Sequence, residues 1–314
     1  MVQPFIRIAG RRINLTHLDT CTFPKAKVFK RDIITYYRTI ARVMLRHIHD
    51  RPLTLQVFSG DIGSGGSLMR DRPTSFPQWI PSASIPSPEG PSSGKKGSIN
   101  AVLASASADL IYLANQGMVA LHMGLSRVDR IHYPDRLIFD LDPSGNDFSS
   151  VPQVAVRLKR SIESLGLTPY IQTTGSRGAQ ISVPIKRTST FDEVRDFARV
   201  LARDVASSFP DIATVDADEA RRGKRVYINC SRNAYGQTVI VPYSLRAMEG
   251  APVATPLDWK ELGATDLSAE KYDIQSILRR LAQKSDPWDG MNRRASSLQK
   301  ARERLEATVQ SGAA

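Results

Sequence analysis

The stretch Leu137-Ile-Phe-Asp-Leu-Asp-Pro143 is the most informative in the chain, because it joins an apolar strand pattern to two carboxylates. A short apolar run of this kind is typical of a buried strand. Asp140 and Asp142 are two positions apart, so on a strand their side chains point to the same face. Adjacent carboxylates repel unless a cation lies between them, and oxygen ligands suit Mg²⁺ or Mn²⁺. The pair indicates either a metal site for phosphoryl transfer or a polar strand end at which Asp142 opens an Asp-Pro turn.

A glycine-containing turn, Thr173-Thr-Gly-Ser-Arg-Gly178, lies between two further strand patterns. Gly175 and Gly178 allow a positive φ, which lets backbone N–H groups converge on an anion. Ser176 and Arg177 add a hydroxyl donor and a positive charge. The turn is either a triphosphate-binding loop or an ordinary hairpin, and its glycine spacing matches neither a P-loop nor a dinucleotide-binding loop.

Periodic patterns predict the remaining elements. Apolar residues at three- and four-residue spacing predict amphipathic helices, at 32–48, 105–118, 151–165, 190–209 and 292–308. Short apolar or alternating runs predict strands, at 5–8, 53–58, 137–141, 170–173, 181–185, 226–230 and 238–241. Residues 59–98 are dense in Gly, Pro and Ser, which predicts a mobile loop and an internal boundary. The expected modules are residues 1–98, residues 99–290, and a basic helix and tail at 291–314.

Composition excludes several classes of protein. The chain has 314 residues, of which 41% are hydrophobic and 24% charged, so it is neither wholly disordered nor fibrous. No apolar run approaches the roughly 20 residues that span a bilayer, and residues 1–12 lack the apolar core of a secretory signal. With only Cys21 and Cys230, neither a disulfide framework nor a cysteine zinc site is available. We expect a cytoplasmic protein.

Charge favours a polyanionic partner. The chain has 43 Lys and Arg against 31 Asp and Glu, a formal net charge of +12, and a basic surface attracts nucleic acid. The alternative is a generic basic surface. Arg232 and Arg246 flank a strand–turn–strand pattern, where they either bind phosphates through their planar guanidinium groups or face solvent. His122 stands in an apolar setting, where a lone histidine is more often structural than catalytic.

The order of the motifs resembles the polymerase domain of bacterial DNA ligase D, which belongs to the archaeo-eukaryotic primase superfamily and serves in non-homologous end joining. The matching motifs are Pro134-Asp-Arg-Leu-Ile-Phe-Asp-Leu-Asp-Pro143, Thr174-Gly-Ser-Arg-Gly178, Arg232-Asn233, Pro242-Tyr-Ser244 and Gly250-Ala-Pro-Val-Ala-Thr-Pro-Leu257. Shorter matches occur at 51–55, 113–115, 122–126 and 286–288. The similarity covers nearly the whole chain, which therefore resembles the stand-alone paralogues without ligase or nuclease domains.

The resemblance implies an α+β fold, with a primase-type palm related to the RNA-recognition sheet and an N-terminal α/β module. Asp140 and Asp142 would ligate the catalytic Mn²⁺ or Mg²⁺, with Asn229 at the third position and His122 beside the nucleotide. Further polar side chains would contact the nucleotide and its phosphates, namely Asn115, Ser176, Arg177, Gln180, Arg232 and Arg246. Lys30 matches a basic position that contacts DNA.

The resemblance also implies an activity, which is the metal-dependent addition of NTPs or dNTPs to a primer or a broken DNA end. Its partners would be DNA, Ku and a separate DNA ligase, in a cytoplasmic, nucleoid-associated setting without a membrane.

Four positions depart from the family pattern, all towards less charge. Asn229 stands where the family has a third metal-binding aspartate, and Gln180 stands where it has a histidine after the glycine turn. Gln56 and Thr20 replace two family lysines. The loss of the lysine at Thr20 bears on recognition of a 5′-phosphate. Two hypotheses follow, a polymerase weakened by Asn229 and a non-catalytic binder of DNA ends or nucleotides. A third is a basic scaffold for other repair proteins.

Overall fold

The computed structural model of the chain describes residues 4–89, 97–145 and 147–312. Its strands are β1 (Phe5–Ile8), β2 (Arg11–Asn14), β3 (Cys21–Phe23), β4 (Val28–Phe29), β5 (Leu53–Val57), β6 (Ser67–Met69), β7 (Ser82–Pro86), β8 (Ser98–Val102), β9 (Met118–Gly124), β10 (Arg136–Asp142), β11 (Tyr170–Thr173), β12 (Ala179–Pro184), β13 (Ala213–Thr214), β14 (Val226–Asn229), β15 (Thr238–Ile240) and β16 (Thr255–Leu257). Its helices are α1 (Lys30–Ile48), α2 (Ser107–Asn115), α3 (Val151–Ser164), α4 (Phe191–Ser208), α5 (Glu219–Arg222), α6 (Ser276–Gln283) and α7 (Leu298–Gly312).

The chain forms two compact units, each assembled from three separate segments. The first unit comprises Met1–Gly124, Thr238–Thr255 and Tyr272–Lys284. The second comprises Leu125–Gln237, Pro256–Lys271 and Ser285–Ala314. This division differs from the boundary predicted at residue 98, because β8 begins there and pairs with both β5 and β7.

The first unit is built on a sheet of order β15-β9-β5-β8-β7, with β6 pairing with β5. The stripe predicted for α1 is buried, as expected of an amphipathic helix, and consists of Ile33, Tyr37, Ile40, Met44 and Ile48. The Tyr37 hydroxyl also donates to the carbonyl of Val119, 2.6 Å away on β9. Burial of each such side chain contributes roughly 1.5–3 kcal/mol, so this stripe fixes α1 to its sheet.

The second unit is built on a sheet of order β13-β14-β10-β12-β11-β16. Pairs β10–β12, β10–β14 and β11–β12 are antiparallel, whereas β13 and β14 are parallel. Helix α4 begins at the predicted capping box, in which the Thr190 side chain accepts from the Glu193 N–H and the Glu193 carboxylate accepts from the Thr190 N–H. Strand β10 lies inside the sheet and is buried along Arg136–Leu141, so its apolar run is core.

Residues 59–98, predicted as a mobile loop, contain β6 and β7 instead. Strand β7 pairs with β8 from Ser82 opposite Val102 to Pro86 opposite Ser98. It is the edge strand of its sheet, where proline is tolerated because one side of an edge strand makes no ladder bonds. Ile85 is buried on it. Residues 90–96 of the predicted loop lie outside the described residues.

The structure differs from the sequence prediction at two other elements, the strand that carries His122 and the C-terminal helix. His122 lies within β9, a strand that the sequence patterns do not predict. The helix expected over 292–308 begins only at Leu298, after a 3₁₀ turn at Met291–Arg294. In the described parts of the chain, no helix is long and apolar enough to cross a membrane.

Candidate functional site

Strand register in the second unit brings four polar side chains into one row. Asp140 on β10 lies directly opposite Gln180 on β12 and Asn229 on β14. Directly opposite residues share a face of the sheet, and Asp142 shares that face with Asp140 because it is two positions along. We call Asp140, Asp142, Asn229 and Gln180 the acid row. The placement predicted for the first three is found, and their chemical roles remain predictions.

Side-chain hydrogen bonds hold Asp140 from two sides. Gln180 Nε2 donates to Asp140 Oδ1 at 2.6 Å, and Gln172 Nε2 on β11 donates to Gln180 Oε1 at 3.1 Å. Arg232 Nε lies 3.5 Å from Asp140 Oδ2, and the same guanidinium donates to Gln237. Both carboxylate oxygens of Asp140 therefore face donors of the chain itself.

Asn229 is turned so that it presents a donor to the acids. Its Oδ1 accepts from the backbone N–H of Ser231 at 2.9 Å and from the Ser231 hydroxyl at 2.7 Å. A backbone N–H can only donate, so this bond fixes which end of the amide is oxygen. The Nδ2 group is left 3.5 Å from Asp142 Oδ2. Asn229 therefore presents its NH₂ group, and not its oxygen, at the third position of the predicted metal site.

The environment of Asp140 disfavours its charged form. Burial, opposed by the bonds from Gln180 and Arg232 and reinforced by the neighbouring Asp142 carboxylate, raises the pKa of Asp140 to about 6. A proton therefore binds this carboxylate at a higher pH than it binds an ordinary aspartate, and it competes there with any cation.

The residues present fit one divalent cation. Asp140 and Asp142 offer carboxylate oxygens on one face, which are ligands that Mg²⁺ and Mn²⁺ prefer. Asn229 adds no oxygen in the orientation described above. Across residues 4–89, 97–145 and 147–312, no cluster of three or more His, Cys, Asp or Glu side chains could hold a metal ion.

Two acids that follow β13, Asp216 and Asp218, have a cation of the chain as partner. Asp216 Oδ2 and Asp218 Oδ2 lie 3.0 Å and 3.2 Å from Arg221 Nε. The Asp218 side chain also accepts from the Ala220 N–H at the start of α5. These acids therefore form a local ion-pair cluster with Arg221.

The glycine turn is packed against β10 by its own backbone. A Cβ on Gly178 would overlap the carbonyl oxygen of Leu141, so glycine is needed there for close approach and not, as predicted, for a positive φ. Gly175 does have a positive φ of 65°, but its N–H donates to the carbonyl of Ala269. The Gly178 N–H faces Thr174 Oγ1 at 3.3 Å. The N–H groups of Gly175 and Gly178 therefore already have partners, while Ser176 is half-buried and Arg177 is exposed.

The first unit carries the other predicted contacts. Arg246 Nη1 lies 3.3 Å from His122 Nε2. A guanidinium can only donate, so this contact is a hydrogen bond when His122 Nε2 carries no proton. The pair places a fixed positive charge beside the imidazole ring.

A cleft of about 400 Å³ in the first unit contains Lys30, the first residue of α1, together with Thr20 and Asn115. We call it the Lys30 cleft. Burial lowers the pKa of the Lys30 ammonium, which an anion beside it would raise again. Gly117 also lines the cleft. It packs so closely on the backbone that a Cβ there would overlap the carbonyl oxygen of Phe58. The structure brings Lys30 and Thr20 together in this cleft, where the Lys30 N–H donates to the Thr20 carbonyl, and their contact with DNA remains a prediction.

Asn115 has a structural part in this cleft. Its Oδ1 accepts from the Thr16 N–H and its Nδ2 donates to the Asn14 carbonyl, both at 3.0 Å. The side chain is buried and ties the chain after β2 to the end of α2. Its predicted contact with a nucleotide remains a prediction.

Three site residues were missed by sequence reasoning. Gln172 and Ser231 act through their bonds to Gln180 and Asn229, and His17 lines the Lys30 cleft with a left-handed φ of 53°. The spacing of Ser231 two residues after Asn229 is the one usable signal, because Asn side chains commonly accept from the N–H two residues on. Cross-strand partners such as Gln172 give no local signal.

Comparison with known proteins places this geometry in a family. The family model described as LigD, primase-polymerase domain, matches residues 29–288. The bifunctional non-homologous end joining protein LigD of Bacillus subtilis is 26% identical over 279 residues, which are 88% of this chain and 44% of that protein. The multifunctional LigD of Mycolicibacterium smegmatis is 27% identical over 278 residues, 88% of this chain and 35% of that protein. The chain spans less than half the length of these relatives.

A solved structure shows the same fold. The polymerase domain from Mycobacterium tuberculosis ligase D, solved in complex with DNA, superposes with a TM-score of 0.83 at 24% identity. The match covers 90% of this chain and 99% of that one. It confirms the predicted α+β fold and polymerase-domain architecture.

Proposed function

The chain belongs to the family of LigD primase-polymerase domains, and on that premise we propose that it is a nucleotidyltransferase extending primers or broken DNA ends with NTPs or dNTPs in non-homologous end joining. The observation that supports this most directly is the placement of Asp140 and Asp142 on one face of β10, at the centre of the acid row. Paired carboxylates in this position suit phosphoryl transfer.

Asp140 and Asp142 would hold one Mn²⁺ or Mg²⁺, which when bound offsets the charge of the triphosphate at the reacting centre. Gln180 orients Asp140 through its 2.6 Å bond and is itself held by Gln172. Ser176 and Arg177 would bind phosphate oxygens as hydroxyl and guanidinium donors. Their turn is held to β10 by the close approach at Gly178.

Asn229 makes the enzyme slow. Replacing a carboxylate with an amide removes one unit of negative charge, and the Ser231 bonds point the NH₂ end towards Asp142. A second cation therefore meets weaker attraction at this row. We expect extension to depend on Mn²⁺ more than on Mg²⁺.

In the first unit, Arg246 would donate to a nucleotide phosphate while His122 keeps its guanidinium in place. Lys30 would contact a phosphate of the DNA end within its cleft. Thr20 offers only a hydroxyl where the family pattern has a second lysine, so this phosphate contact is weaker than a two-lysine site. Ku and a separate DNA ligase are the proposed partners, in the cytoplasm and at the nucleoid.

A second candidate function is a non-catalytic binder of DNA ends or nucleotides. The observation in its favour is that Gln180, Arg232 and Asn229 all direct donors at the two acids. Those donors supply part of the positive charge that a cation would otherwise bring.

Primer extension tests the proposal. Wild-type protein and the Asp140→Asn/Asp142→Asn double variant would be given a primed template or a DNA end with a 3′ overhang, with each NTP or dNTP and either Mn²⁺ or Mg²⁺. Asp266→Asn is a matched control, because Asp266 is an exposed acid of the same unit whose partner is Lys271. We expect slow extension by wild type and the control, and none by the double variant. Absence of extension with every metal and substrate, together with intact DNA binding, would favour the non-catalytic binder.

A further inference from the structure

The β1–β2 hairpin of the first unit has two unlike faces. Register places Phe5 opposite Asn14 and Arg7 opposite Arg12 on one face, and all four are exposed. The other face carries Ile6, Ile8, Arg11 and Ile13. We call the first the outer face of the hairpin and the second its inner face.

The inner face anchors the hairpin. Ile13 is only 3% exposed, and Arg11 Nη1 lies 3.0 Å from Asp109 Oδ1, whose side chain is buried. The Arg11 guanidinium also stacks 4.6 Å from the ring of Trp79. These contacts hold the outer face in a fixed position on the unit.

The outer face exposes an aromatic ring flanked by two guanidinium groups. Phe5 is 43% exposed, with the Arg12 guanidinium 4.2 Å and that of Arg7 5.8 Å from its ring centroid. One exposed ring is too small a patch for the apolar core of a stable protein–protein interface. Aromatic rings combined with Arg are what proteins use to stack unpaired bases.

Among the described residues, no acid neutralises the charge of the outer face, where Arg12 Nε donates to the neutral Asn14 Oδ1 at 3.2 Å. Arg7 lies directly opposite Arg12, an arrangement that destabilises a sheet. In the described residues 4–89, 97–145 and 147–312, neither forms an ion pair with an acid. The first 31 residues hold seven Lys and Arg and one acid, Asp19, so half of the net charge of +12 lies in this segment. A bound anion would relieve the repulsion between the two arginines.

We infer that the outer face of the hairpin binds an unpaired stretch of polynucleotide, with a base stacked on Phe5 and the adjoining phosphates bound by Arg7 and Arg12. The planar fork of arginine suits phosphate oxygens, and stacking on an aromatic ring accepts any base. This binding site rests on the proposed function, because the bound strand would be the single-stranded part of the DNA end that the protein extends.

The hairpin is joined to the Lys30 cleft through Asn115. That side chain binds the carbonyl of Asn14, the last residue of β2, and the N–H of Thr16, which lines the cleft. Two residues of extended chain span at most about 7 Å. The end of the hairpin therefore lies within about 7 Å of a residue that lines the Lys30 cleft, and both belong to the first unit.

Fluorescence anisotropy with short oligo-dT and oligo-U strands over a salt series tests the inference. Phe5→Leu keeps an apolar side chain but removes the π-face, and we expect roughly a 5- to 150-fold loss of affinity per stacked base with an unchanged salt slope. Phe5→Trp should keep the affinity. Arg7→Gln/Arg12→Gln should lower the slope of log K against log salt by about 1.4, because each lost phosphate contact contributes about 0.7. Leu68→Ala, at an exposed apolar residue of the same unit, is the matched control and should change nothing.

The results separate this inference from the proposed function. Binding of either strand with loss in Phe5→Leu supports the inference. Wild-type affinity in Phe5→Leu, or no binding of either strand by wild type, overturns it even if the protein extends primers. Loss of single-strand binding in Phe5→Leu upholds it even if no variant extends a primer. Circular dichroism of each variant confirms that the exposed substitutions leave the fold intact.

Discussion

The acid row and the Lys30 cleft handle their charges in opposite ways. In the acid row, Gln180, Arg232 and Asn229 direct donors at Asp140 and Asp142. In the Lys30 cleft, burial lowers the pKa of the ammonium, and no acid of the described residues forms an ion pair with it. On the proposed function, Lys30 is left for an anionic ligand, whereas the two acids already have donors of the chain beside them. Binding to DNA ends should therefore be better preserved than catalysis.

The largest expected effect is that one substitution abolishes extension and another weakens DNA-end binding, each without affecting the other function. Asp142→Asn should slow extension at least a thousandfold, about 4 kcal/mol, because it removes a carboxylate from the reacting centre, and should leave DNA-end affinity within about twofold. Lys30→Gln should lower affinity for 5′-phosphorylated ends roughly 5- to 10-fold, about 1 kcal/mol, and leave extension at saturating DNA unchanged. Single-turnover extension and anisotropy measure the two quantities. If either variant impaired both functions equally, the contrast would fail.

Each region also depends on one glycine, which gives a second test. A Cβ on Gly178 would overlap the Leu141 carbonyl oxygen, and one on Gly117 would overlap that of Phe58 at a φ of 88°. Gly178→Ala and Gly117→Ala should each lower the free energy of unfolding by roughly 3 kcal/mol through overpacking and, at Gly117, backbone strain. Urea denaturation measures the loss. Gly263→Ala, with nothing within 4 Å of its Cβ, should be close to neutral, and equal stability of all three variants would show that the close approaches are absent.

The pH dependence of stability distinguishes the regions further. The folded-state pKa of Asp140 is raised to about 6 from 3.8, so the folded protein binds this proton more tightly than the unfolded chain does. Below pH 4 the protonated Asp140 favours folding. As pH rises from 4 to about 6, the free energy of unfolding falls by up to about 3 kcal/mol, and above pH 6 this group causes no further change. With metal chelated, Asp140→Asn should remove this fall between pH 4 and 6, while Lys30→Gln and Asp266→Asn keep it. Identical profiles for wild type and Asp140→Asn would show that burial does not disfavour the carboxylate.

Much of the fold was predictable because its signals are local. The apolar run ending in Asp140 and Asp142, and the capping box that opens α4 at Thr190, depend on residues adjacent in sequence. Strand β7 was not predictable, because an edge position tolerates Ser and Pro and leaves no continuous apolar pattern. Strand β8 was not predictable either, because Ser98-Ile-Asn-Ala-Val102 is too short and too mixed to give a strand pattern. Pairing across β7 and β8 is set by the rest of the sheet.

The candidate site divides in the same way. The i, i+2 spacing of the two acids and the family motif placed Asp140, Asp142 and Asn229 together, and the structure agrees. The bond from Gln172 to Gln180 could not be predicted, because it depends on the register of two strands. Nor could the orientation of the Asn229 amide, which the Ser231 N–H fixes through a turn formed only in the folded chain.

Nucleotide addition by Asn229→Asp measures whether the lost charge at position 229 limits catalysis. Wild type, Asn229→Asp and Asn229→Ala would be compared on one primed template with Mn²⁺ and with Mg²⁺, and Asn229→Ala controls for loss of the amide without a gain of charge. We expect slow, Mn²⁺-dependent extension by wild type, a rise of at least about tenfold in Asn229→Asp that is larger with Mg²⁺, and no rise in Asn229→Ala. Ten-fold corresponds to about 1.4 kcal/mol. Brisk Mg²⁺-supported extension by wild type that Asn229→Asp leaves unchanged would contradict this expectation.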